Sequence, residues 1–104
     1  MIADPASVVL TAHVANWADD DRTRLVWILE CLDRQNHRDW GDLDVDDAAT
    51  NDRALRNGAG RLLSRYPLPV ALGGDGDADD AVWIITDDIA DPDSVTTVLW
   101  PSDY

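Results

Sequence analysis

Asp39-Trp40-Gly41-Asp42, Asn51-Asp52 and Arg61 gather carboxylate, indole, amide and guanidinium groups within a short span of this chain. Carboxylates recurring around a short helix beside a tryptophan could hold a divalent cation that activates water. Asp39, Asp42 and Asp52 would be the ligands, and the chemistry would be that of a small metal-dependent hydrolase or nuclease. The simpler reading is a packed Trp40 with local caps and ion pairs. As a ligand site, the candidate binding residues are Asp39, Trp40, Asp42, Asn51, Asp52 and Arg61, and no residue is assigned a catalytic or metal-ligating role.

Other constellations fall short of their chemistry. Asp75, Asp77 and Asp79 alternate like the first half of an EF-hand loop, but Asp80 stands where that loop needs Gly and Thr86 where it needs Glu. His13, His37 and Cys31 lie far apart, without CxxC, HxH or HExxH spacing, so a structural zinc site is not expected. His37 is placed to favour the C-terminal dipole of a preceding helix, and His13 to lie on an exposed strand face. No nucleophile elbow is present. The glycine-rich stretch GGDGDADD lacks the GxxxxGK[ST] pattern, and its carboxylates would repel phosphate, so no nucleotide cofactor is expected.

The charge narrows the partners. With 21 acidic residues, all but one of them Asp, against 8 basic residues that are all Arg, the formal charge is -13. Such a field repels nucleic-acid phosphates, disfavours direct DNA or RNA binding and favours basic proteins, cations or plain solubility. Hydrophobic residues at 45%, with five Trp, supply enough apolar area for one core, and 104 residues match a single domain. Cys31, the lone cysteine, allows no intramolecular disulfide and reads as a buried small hydrophobe, which fits a reducing compartment. No segment has the pattern of a signal peptide or the roughly 20 apolar residues of a membrane span, and the expectation is a cytoplasmic protein.

Positioning these groups requires an α+β fold. Ser7 to Val14 is β-branched and partly alternating, which predicts a first strand. Leu25, Ile28, Leu29 and Leu32 recur at i, i+3, i+4, i+7 and predict a helix over 20–36. Val26, Trp27 and Cys31 widen its apolar face, as expected for a helix between two layers. Asp44 caps a second helix that Asn57-Gly58 closes. Period-two patterning then predicts strands over Arg61–Tyr66, Ala81–Thr86 and Val95–Trp100, with 73–80 as a flexible acidic hairpin loop. The order β-α-α-β-β-β predicts a four-stranded antiparallel sheet with two helices on one face, the insertion point of the first strand being open.

Taken together and in order, Asp39-Trp40-Gly41-Asp42-Leu43, Asn51-Asp52-Arg53-Ala54-Leu55, Gly60 to Tyr66, Val82 to Thr86 and Thr96 to Tyr104 form a pattern. In it the chain resembles a family of small, uncharacterised bacterial proteins associated with plasmids and other mobile DNA. The resemblance runs from about Leu10 to the C-terminus. The chain departs from it by longer connections between Tyr66 and Val82 and between Thr86 and Thr96, both at hairpin loops, where length changes are tolerated. Members sometimes carry the label of a type I restriction methylation subunit, yet this chain has neither a Gly-rich methyl-donor loop nor an Asn-Pro-Pro-aromatic motif.

The resulting expectation is a non-enzymatic interaction or accessory protein in a mobile-element or defence-related context, engaging a basic protein partner through its acidic face. Its sharpest form is a DNA-mimicking inhibitor with carboxylates tracking duplex phosphates. The alternative is the metal-dependent hydrolase or nuclease of the Asp cluster, and a homodimer through exposed Trp residues is a third reading.

Overall fold

The computed structural model describes residues 7–73 and 80–104. Along the chain run β1 (Val8–Leu10), α1 (Ala12–Asp19), α2 (Arg22–Asn36), α3 (Val45–Asn57), β2 (Leu62–Pro67), the single-turn α4 (Val70–Gly73), β3 (Ala81–Thr86) and β4 (Thr96–Leu99). A 3-10 turn over Pro101–Asp103 follows. The α+β class is as the patterning predicts, and the last three strands form the expected antiparallel meander.

The sheet order is β1-β4-β3-β2. The sheet is mixed rather than wholly antiparallel, because β1 pairs with β4 in parallel, Val8 opposite Thr96 and Leu10 opposite Val98. A parallel neighbour needs a long crossover, and the helices between β1 and the meander supply one. The register sets Leu10, Leu62, Ser64, Tyr66, Val82, Ile84 and Val98 on one face. Against it pack Val14, Trp17 and Ala18 of α1 and Ile28, Cys31 and Leu32 of α2. Trp17 meets Trp100 edge-on at 5.1 Å between ring centres and Trp27 at 6.3 Å. Each such aromatic pair contributes about 0.5–1.5 kcal/mol beyond its buried area.

The first strand stops at Leu10, four residues before its expected end, and His13 lies on a helix rather than on a strand face. The cause is local. The Thr11 hydroxyl accepts from the Val14 amide as an N-cap, and Ala12, Ala15 and Ala18 favour helix over strand, while Val14, Trp17 and Ala18 bury one stripe. The chain then turns at Asp20 into α2, whose N-cap Asp21 accepts from the Thr23 amide at 2.9 Å.

α2 does not lie between two layers. Its inner side buries Ile28, Cys31, Leu32 and Gln35, whereas Leu25, Val26 and Leu29 are exposed at 42%, 48% and 56%. Gln35 ties this helix to the sheet: its side-chain amide donates to Ser64 Oγ at 2.9 Å and to the Ile84 carbonyl at 3.1 Å. A fully buried amide is tolerated there because its polar atoms are satisfied. Burial pushes the Cys31 thiol up to about 12, so the cysteine sits protonated in the core as a small hydrophobe.

α3 begins and ends as predicted, with Asp44 accepting from the Asp47 amide at 2.8 Å and Gly58 left-handed at φ 66°. Between β2 and β3 the single turn α4 precedes the stretch read as a hairpin loop. Residues 74–79, and with them Asp75, Asp77 and Asp79, lie outside the described residues. Among the described residues no helix is long and apolar enough to cross a membrane.

Candidate functional site

β2 is the outer strand of the sheet, so the backbone groups of Leu63 and Arg65 point away from β3 and need partners. The candidate residues supply them. The segment after α2 runs beside β2 as a one-residue parallel bridge, Gly41 opposite Arg65. The Arg65 amide donates to the Trp40 carbonyl at 3.1 Å, and the Asp42 amide donates to the Arg65 carbonyl at 2.7 Å. Asn51, on α3 and 2% exposed, serves Leu63 in the same way: its Nδ2 donates to the Leu63 carbonyl at 2.6 Å, and the Leu63 amide donates to its Oδ1 at 3.0 Å.

The remaining groups of the Asp39–Asp42 segment hold that bridge in place. Asp39 receives Arg34 Nε at 2.8 Å and the Gly41 amide at 3.1 Å, and these bonds hold its carboxyl below the usual range. The Tyr66 hydroxyl donates to the Asp39 carbonyl at 2.8 Å. Asp42 pairs with Arg65 Nη1 at 2.6 Å. Gly41 has φ 73°, and a Cβ there would overlap the Arg65 carbonyl oxygen and come within 2.7 Å of the Tyr66 ring, so only glycine fits.

Trp40 is buried with Ala54 and Leu62 in a second, smaller cluster. Its Nε1 donates to Asp52 Oδ1 at 3.4 Å. Asp52 also lines an open cleft of about 270 Å³ with Arg38, Leu55 and Arg56.

The structure therefore joins Asp39, Trp40, Asp42, Asn51 and Asp52 along the outer side of β2 and separates Arg61 from them. Arg61 instead donates to the Tyr104 hydroxyl at 2.9 Å and lies over its ring. Asp39, Asp42 and Asp52 each face a different partner, and among the described residues no group of three His, Cys, Asp or Glu is placed to hold a metal ion.

Sequence reasoning did not single out a second polar cluster at the start of α1. Asp103 Oδ2 accepts from the Thr11 hydroxyl at 2.8 Å and from the Trp100 amide at 3.1 Å, and Asp103 Oδ1 meets His13 Nδ1 at 2.5 Å. Nothing in the local sequence around either residue sets His13 beside Asp103. Only the parallel pairing of β1 with β4 does.

No family model, curated protein or solved structure matches the chain. The fold and the site define a small α+β protein whose sheet edge is closed by its own conspicuous polar residues.

Proposed function

We propose a non-enzymatic interaction protein whose acidic surface engages a basic protein partner, an accessory factor acting in a mobile-element or defence-related setting. The setting rests on the resemblance of the Asp39–Asp42, Asn51–Leu55, Gly60–Tyr66 and C-terminal segments. The interaction reading rests on one observation. The carboxylates that resemble a catalytic cluster are committed to Arg34, Arg65 and Trp40, while other acidic side chains stand exposed on separate elements. Asp44, Asp46 and Asp47 crowd the first turn of α3, and repulsion from Asp44 raises the Asp47 carboxyl above its usual range. Asp87, Asp91 and Asp93 project from the β3–β4 connection, and none of these six makes an ion pair among the described residues. Charge arranged in this way steers association with a basic surface and makes it sensitive to salt.

The test is capture of a basic protein from the native lysate by the tagged chain at low and moderate ionic strength. A stoichiometric partner that moderate salt releases, and that the Asp46→Asn/Asp47→Asn variant binds more weakly, supports the reading. Equal retention by wild type and variant at both ionic strengths, or retention of nothing, overturns it.

A further inference from the structure

Arg22, Val26, Leu29 and Asp33 follow one another along α2 at spacings of four, three and four residues, the spacing of a helix–helix seam. They lie on the side of the helix opposite the buried Ile28, Cys31 and Gln35, and all four are exposed. Leu25 flanks them, so three large aliphatic side chains face outward on a chain of charge -13. Isolated exposed apolar residues are ordinary, but a continuous stripe on one helix marks a contact surface. The tryptophans do not supply such a surface: Trp17, Trp40 and Trp100 are buried, and Trp27 and Trp83 are half-buried.

We propose that α2 is the interface of a homodimer, packed antiparallel against α2 of a second copy. The argument for that occupant is self-complementarity. In a two-fold antiparallel pairing, the register that sets Val26 against Leu29 of the second copy also sets Arg22 against Asp33 of the second copy, and the reverse holds at the other end. The apolar pairs occupy the middle and two reciprocal ion pairs close the ends. Arg22 makes no ion pair among the described residues, and Asp33 has only His37 Nδ1 at 3.6 Å, both side chains being 73% exposed. A partner of unrelated sequence has no reason to match an arginine and an aspartate placed symmetrically about an aliphatic pair. The contact is small and both copies are acidic, so the dimer is weak and benefits from enough salt to screen the net repulsion.

Sedimentation equilibrium across a wide concentration range, at an ionic strength of about 0.15 M, tests this. Wild type is expected to show a monomer–dimer equilibrium. Arg22→Asp and Asp33→Arg, each of which sets like charges together at both ends, weaken it about tenfold. The double variant R22D/D33R exchanges the charges, regains both ion pairs and returns to within about twofold of wild type. Val26→Asp abolishes the dimer. These positions are solvent-exposed, and circular dichroism verifies that each variant is folded. Wild type that stays monomeric at every concentration, a dimer indifferent to Val26→Asp, or a double variant no better than the single ones overturns the proposal.

Discussion

The Asn51 side chain stands where a neighbouring strand would stand for Leu63, donating to its carbonyl at 2.6 Å and accepting from its amide at 3.0 Å. One side-chain amide thus reproduces both backbone bonds of a sheet ladder. Replacing it by alanine leaves two backbone groups of β2 without partners beneath α3. Asn51→Ala is therefore expected to destabilise the fold by about 2–4 kcal/mol, read from urea unfolding. Asn51→Asp keeps the acceptor but sets a carboxylate against the Leu63 carbonyl, and is expected to destabilise also. Wild-type stability in both would mean that water replaces these bonds without penalty.

Gly41 and Gly58 share a left-handed backbone but not its surroundings, which makes them a matched pair. A Cβ on Gly58 meets nothing within 4 Å, so Gly58→Ala carries only the conformational penalty of about 1–2 kcal/mol. Gly41→Ala adds the collision with the Arg65 carbonyl and the Tyr66 ring, and is expected to exceed the Gly58 variant by at least about 2 kcal/mol. Thermal unfolding of the two variants side by side checks the ordering.

His13 and Asp103 make part of the stability depend on pH. The hydrogen bond to Asp103 raises the His13 imidazole above its ordinary 6.5. Burial pushes the Asp103 carboxyl up, but bonds from His13, Thr11 and the Trp100 amide outweigh it, and the net direction is down from 3.8. A raised histidine contributes fully below its unfolded value and loses that contribution as pH rises through the folded one. A lowered carboxyl contributes above its unfolded value and loses it as pH falls through the folded one. The joint contribution is therefore complete between 3.8 and 6.5 and declines on either side. A proton NMR titration is expected to place His13 above 6.5 in wild type and to bring it down in Asp103→Asn.

Local signals were legible and distant ones were not. Asp44, Gly58 and the alternation of β2, β3 and β4 could be read because each depends on neighbours within a few residues. α1 escaped because Val8, Val9 and Val14 look like one strand. The opposing signal, Ala12, Ala15 and Ala18 behind the Thr11 cap, is weaker than the β-branched run. The parallel placement of β1 is a long-range pairing that no local pattern encodes. Asn51 and Asp39-Trp40-Gly41-Asp42 could be recognised as a group. Their common purpose could not, because it consists of bonds to the backbone of Leu63 and Arg65, where side-chain identity leaves no trace.

The interaction reading depends on these residues closing the sheet edge instead of serving a ligand, and amide hydrogen exchange of the wild-type protein examines that most directly. If Asn51 and Trp40 hold the outer side of β2, the Leu63 and Arg65 amides exchange as slowly as the amides that β2 directs toward β3. Exchange of those two amides at the rate of exposed loops would mean that the edge is open, and that Asp39, Trp40, Asp42 and Asn51 remain available for another role.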